Sequence, residues 1–205
     1  MKGKLGIALM FTGCSALIAA IVLVTININT DIQGKKKSEA ALKALESKIS
    51  VSYSETKYND EKLQIFNEDQ SFSQLSVGEG VYSGIIDIPE INIKLPVMSS
   101  WSYKKMKTAP CIYSVNENKN QFIIAAHNYS SHFGNIKQLE SGDYVTFTDI
   151  YNNFKVYSVI QTEILNGYDI QKMIDGDDWN LTLFTCTLSG TQRVTVRCKE
   201  VKPDQ

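Results

Sequence analysis

A chain of 205 residues has room for one ordinary domain plus appendages and would cramp two. Apolar content of 43% and aromatic content of 10% are enough to build a core. A formal net charge of -1, with no basic stripe interleaved with aromatics, excludes a global field directed at nucleic acid, so no nucleic-acid partner is expected.

Lys2 and Lys4 precede residues 5–26, a run without a charged side chain. About 20 apolar residues cross a bilayer core, so this run predicts a transmembrane helix. A secretory signal core usually has about 7–15 residues. The present run is longer and no clear A-x-A site follows, so it reads as an uncleaved signal anchor. The flanking lysines predict a cytoplasmic N-terminus, residues 1–4, and place the remaining chain outside the plasma membrane. Cys14 lies within the run and reads as a small apolar residue of the span.

Residues 27–76 are rich in Ser, Asn, Lys and Glu, contain no Pro, and read as an extracellular stalk. The lysines at 35, 36 and 37 read as a solvated face. Residues 38–49 predict a helix: Ser38 can cap it, Ala40, Ala41, Ala44 and Leu45 favour it, and Leu42, Leu45 and Ile49 share one face. That face serves either a stalk helix or a contact with the domain that follows. Residues 50–76 read as an irregular tether.

From Val77 the pattern changes to short strands separated by turn signals. Strands are predicted at 82–88, 92–97, 111–115, 121–127, 144–148, 154–165, 181–186 and 193–201, with turns at 116–120, 141–143 and 151–153. Short helical pieces fit 102–107, 131–139 and 169–174, the last with Asp169 as N-cap. The expected fold is mainly β: a small closed or nearly closed eight-stranded barrel with short peripheral helices. Closure removes exposed edges. Residues 77–205 form the expected main domain.

The chemistry concentrates at strand ends. Leu181-Thr182-Leu183-Phe184-Thr185-Cys186 ends an alternating run in a cysteine. A short turn containing Ser189-Gly190 leads into Arg193-Val194-Thr195-Val196-Arg197, so Cys186 and Arg193 face each other across a hairpin. Ile123-Ile124-Ala125-Ala126-His127 ends another run in a histidine. A thiol, an imidazole and a guanidinium at strand ends make a candidate cysteine-nucleophile site, since the thiolate attacks and a nearby histidine handles its proton. Beyond Cys14, the cysteines are Cys111, Cys186 and Cys198, an odd number, which leaves at least one thiol unpaired. Cys111 and Cys198 either pair or stay as two buried thiols. No CxxC and no Cys/His cluster of ligand spacing exists, so no metal and no cofactor are expected.

At these residues the chain resembles the sortases, membrane-anchored cysteine transpeptidases of Gram-positive bacteria. Their T-L-x-T-C signature reads here Thr182-Leu183-Phe184-Thr185-Cys186, with His127 upstream and Arg193 downstream, and the resemblance runs from about Val81 to Val201. It includes a first hairpin at residues 84–93. It implies an eight-stranded barrel, Cys186 as nucleophile, His127 as acid/base and Arg193 as oxyanion-stabilising or substrate-positioning group. Thr185 either touches substrate or is an ordinary β-branched strand residue.

The implied reaction is cleavage of an LPxTG-like sorting signal, a thiol-protease step. Transfer of the acyl group to an amine of a peptidoglycan precursor or a pilin follows. The implied partners are surface proteins bearing that signal. By the same resemblance, residues 166–180 form part of the substrate groove. The class within the family stays open, with a class B-like enzyme among the readings. No Pro-rich or Asp-x-aromatic lid is evident, which argues against a pilin-polymerising subtype.

His132 competes with His127 and Arg197 with Arg193, these being the only histidines and arginines in the chain. His132 reads as a surface or loop residue. Arg197 lies farther from the turn but on the same strand face, four residues on. The alternative function is a non-catalytic, membrane-tethered barrel that binds a wall or surface protein.

Overall fold

The computed structural model describes residues 2–58, 73–176 and 178–201. A long helix, α1 (Lys2–Tyr58), is followed by a short strand β1 (Leu75–Val77), then β2 (Gly80–Ile88) and β3 (Ile93–Met98). A one-turn helix α2 (Tyr103–Met106) precedes β4 (Cys111–Asn116) and β5 (Gln121–Ala125). After a long crossing loop come β6 (Tyr144–Asp149), β7 (Phe154–Asn166), the short helix α3 (Ile170–Ile174), β8 (Leu181–Cys186) and β9 (Gln192–Glu200).

The strands run in the order β1-β2-β3-β4-β5-β8-β9-β7-β6, and β6 pairs back onto β2. Strands β2 to β9 therefore close an eight-stranded barrel, and β1 is a short hairpin arm on β2. The eight expected strands correspond to these eight, while β1 lies in the stretch read as irregular tether. Residues 50–58 of that stretch instead continue α1 as helix, and 59–72 lie outside the described residues.

Closure has a local cause. A Cβ at Gly84 would collide with the Thr148 carbonyl oxygen, so glycine lets β2 approach β6. Inside the barrel sits a cluster built on Ile86, Val97, Ile124, Phe133, Val145, Leu181, Leu183 and Val196. The alternation of inward apolar residues supplies it.

A second cluster lies outside the barrel wall, between β-strands and α1. Leu45 is fully buried and Ile49 nearly so, packed with Val77, Tyr82, Ile85, Met98, Met106 and Cys111. The Leu42/Leu45/Ile49 face thus serves a contact with the barrel. Glu46 also pairs with Lys94 at 2.7 Å, and the Lys48 ammonium donates to the Ser76 carbonyl.

Ser38 caps nothing, because the helix runs through it without a break; its hydroxyl is buried inside the contact. The N-terminal part of α1 is long and apolar enough to cross a membrane.

The other short helices depart modestly from expectation. Ser102 caps α2, its side chain accepting from the Lys105 N–H. Asp169 precedes α3 but makes no capping bond; its carboxylate instead pairs with Lys172 at 3.2 Å. Residues 131–139 form turns and one 3-10 turn, Ile136–Gln138, in place of a helix. Phe133, Ile136 and Leu139 of this segment are all buried in the barrel core.

Candidate active site

Register brings the three strand-end residues together. Strands β5 and β8 are parallel, with Ala125 opposite Phe184. Two residues beyond each lie His127 and Cys186, so both leave the sheet at the same barrel end. On the other edge of β8, Cys186 is the register partner of Arg193 in antiparallel β9. Gly190, at φ 73°, makes the intervening turn, and the Thr187 N–H donates to the Gln192 carbonyl at 3.0 Å. Cys186, His127 and Arg193 all line one cleft of about 370 Å³.

Cys186 is half-buried, whereas Cys111 and Cys198 are buried and all are unpaired. Burial pushes the Cys111 and Cys198 thiols each up to about 12, which makes them inert.

Burial lowers the pKa of His127, the Lys107 ammonium lowers it further, and a hydrogen bond with the Tyr103 backbone works the other way. The ring is therefore neutral near pH 7 and able to accept a proton. It stacks on Tyr129 with centroids 4.8 Å apart, and its Nε2 is buried without a hydrogen-bond partner.

His132 differs from the surface or loop residue expected. It is fully buried, and neither ring nitrogen has a partner. Burial pushes it down to about 4, His127 adding to the effect and Asp31 opposing it. The loop after β5 folds it inward beside Phe133, and no side-chain alternation announces that in an irregular segment.

The two arginines separate just as clearly. Arg193 lies at the cleft, with Nη1 donating to the Gly190 and Gln192 carbonyls at 2.9 and 3.0 Å. Its Nε and Nη2 make no bond among the described residues. Gly167 makes room for it, since a Cβ there would stand 3.2 Å from Nη1.

Arg197 is 1% exposed and fully engaged. It bonds Glu163 at 3.0 Å, Thr182 at 3.0 Å and the Met173 and Lys172 carbonyls at 2.8 and 2.6 Å, and it lies over the Trp179 ring. It fastens α3 to the strands. Through that fastening, Gly167, Ile170 and Met173 line the cleft.

Thr185 is buried and its hydroxyl donates to the Ala126 carbonyl at 2.9 Å. It points away from the cleft and beneath the site. The residues that sequence reasoning missed are aromatic: Trp101 and Tyr113 lie 5.2 Å apart, and Tyr113 meets Phe184 edge-to-face at 5.2 Å. With Tyr103 they wall one side of the cleft. Their signal was a W-S-Y cluster at the handover from β3 to β4.

A sortase-domain family model matches residues 86–201, more than half of the chain. The chain belongs to the sortase family, whose members are typically cysteine transpeptidases. Sortase C1 from Streptococcus agalactiae is 26% identical, with 78% of this chain and 90% of that one covered and a TM-score of 0.56. A sortase D5 transpeptidase from Clostridium perfringens is 20% identical, covering 82% of this chain and 99% of that one, with a TM-score of 0.60. Sortase C from Clostridium perfringens, solved with the C-terminal cell wall sorting motif, is 19% identical, covering 88% of this chain and 100% of that one, with a TM-score of 0.52. The latter two show the shared fold. No curated protein sequence matches.

Proposed function

We propose that the protein is a membrane-anchored sortase-type transpeptidase that cleaves an LPxTG-like sorting signal. The observation that carries this is the convergence of Cys186, His127 and Arg193 in one cleft from three adjacent strands. The Cys186 Sγ bonds to the Thr carbonyl carbon while His127 takes the thiol proton. The Thr–Gly C–N bond then breaks as His127 returns the proton to the leaving amine. An incoming amine of a peptidoglycan precursor or a pilin attacks the thioester, gives up a proton to His127 and expels the Cys186 thiolate, which His127 can reprotonate.

Arg193 faces the developing oxyanion or the substrate backbone with its uncommitted N–H groups, and loss of such a donor can raise the barrier by about 2.7–4 kcal/mol. Thr185 acts beneath the site by tying the two strands. Residues 5–26 anchor the protein once through the plasma membrane, with the N-terminus cytoplasmic and the barrel outside, following the flanking lysines.

The test pairs a thiol-directed vinyl sulfone with a quenched Leu-Pro-X-Thr-Gly peptide library. Wild type is labelled at Cys186 and yields acyl-transfer products. Cys186→Ala, folded by circular dichroism, gives neither. Comparable turnover by Cys186→Ala removes the mechanism, and His127→Ala retaining activity removes the acid/base assignment.

A further inference from the structure

Residue Asp31 of α1 lies outside the region matched by the family model, yet it is bonded to the loop that carries His127. Its Oδ2 accepts from the Ser130 N–H at 3.1 Å and the Ser130 hydroxyl at 2.5 Å. Its Oδ1 accepts from the Ser131 N–H at 3.4 Å and the Ser131 hydroxyl at 2.5 Å. Both carboxylate oxygens are thus spent on one short stretch of loop, with ionic acceptors that strengthen each bond.

Three residues on, at the same helix face, Gly34 presses on the same loop. A Cβ there would stand 3.3 Å from the Tyr129 ring and 3.1 Å from the Lys107 carbonyl oxygen. Tyr129 in turn stacks on His127 with an interplanar angle of 23°. The loop is short and tight: the Phe133 N–H donates to the His127 carbonyl, and the Gly134 N–H to the Tyr129 carbonyl. A displacement at Ser130–Ser131 therefore reaches Tyr129 and His127 within one turn of chain.

We infer that Asp31 is a positioning residue for the reaction, the anchor helix completing the active site by clamping Tyr129 against the His127 imidazole. This rests on the reading of His127 as acid/base. A loop tethered only through its own backbone would let the imidazole drift. Misplacement of a catalytic group by about 1 Å can cost on the order of 100-fold. The helix contributes here as a wall behind the base, besides serving as a tether.

The test uses the full chain in detergent micelles, with a quenched Leu-Pro-X-Thr-Gly peptide and Cys186 alkylation by a vinyl sulfone as two activity readouts. Asp31→Ala should lower kcat/KM by about 10- to 100-fold, mainly through kcat. It should also slow Cys186 alkylation and move the His127 titration, read from the histidine ring protons, upward as the ring gains solvent. The groups facing His127 are Lys107, Tyr129 and His132 nearby, Cys186 and Arg193 in the cleft, and Asp31 behind Tyr129. Of these only Asp31 changes.

The double variant Ser130→Ala/Ser131→Ala keeps the two backbone N–H bonds to Asp31 and should reproduce part of the loss, and adding Asp31→Ala to it should cost less than Asp31→Ala costs in the wild type. Should Asp31→Ala fold poorly, Ser130→Ala alone carries the same comparison. Wild-type kinetics and an unmoved His127 titration in Asp31→Ala, beside an inactive His127→Ala, overturn the clamp. Additive losses from Asp31 and the serines overturn it as well. An active His127→Ala overturns instead the acid/base reading on which the clamp depends.

Discussion

The Thr185 hydroxyl donates to the Ala126 carbonyl at 2.9 Å, so the residue before Cys186 is tied to the residue before His127. The Ala126 N–H adds a bond to the Phe184 carbonyl at 3.2 Å. These bonds extend the parallel β5–β8 ladder past its last register pair, to the point where Cys186 and His127 stand. Thiol and imidazole are thereby set relative to each other by backbone, and cleft-lining contacts are left free for substrate.

Replacing Thr185 by Val keeps the volume and the β-branch but removes the donor. The buried Ala126 carbonyl then loses a partner, at roughly 1–3 kcal/mol. Thr185→Val should therefore lower the Tm and also kcat, while Thr185→Ser restores most of both. Thermal melts and steady-state peptide cleavage on the three proteins check this. A Val variant with unimpaired kcat would mean that the tie does not position the site.

Lys107 should shift the pH profile. Burial and the Lys107 ammonium both lower the His127 pKa. Lys107→Gln removes the second influence, so the imidazole takes up its proton at higher pH. The acidic limb of kcat/KM should move to higher pH in this variant, with the plateau little changed. A limb that stays in place would assign it to another group.

The barrel was legible in the sequence because its strands alternate and its turns carry Asn and Gly at left-handed positions such as Asn120 and Gly190. The candidate site was legible because Cys186 ends β8, Arg193 lies one residue into β9 and His127 follows two residues after β5, where the sequence had extended that strand. What the sequence hid depends on long-range packing. Asp31 meets Ser130 and Ser131 a hundred residues away in the chain, and nothing local marks the pair. Arg197 and Arg193 share a strand face by parity, but only the position of α3 decides which is buried. The burial of His132 likewise follows from the path of an irregular loop.

The two arginines should fail in different ways. Arg193→Lys keeps a charge but loses the planar fork that holds the turn carbonyls and faces the cleft. It should cut kcat/KM strongly with the Tm nearly unchanged. Arg197→Ala leaves Glu163 and two carbonyls without their donor and should destabilise by about 3 kcal/mol or more. Its activity should fall through loss of folded protein and of α3 as a cleft wall. Equal Tm losses in both variants would refute this division.

The last expectation concerns where the chain can be cut. The face of α1 bearing Leu45 and Ile49 covers Val77, Tyr82, Ile85, Met98 and Met106, a patch that would otherwise be open apolar surface. A truncated chain starting at Ser76 should expose that patch and aggregate. One starting at Thr30 keeps the packed face and the Asp31 bonds, loses the apolar run 5–26, and should be soluble and active. Within the longer chain, Leu45→Ala removes a side chain that is fully buried and should cost roughly 2–5 kcal/mol. Size-exclusion chromatography and thermal melts on the three proteins decide the matter. A monomeric, cooperatively melting chain from Ser76 would show that the barrel closes without its helical wall.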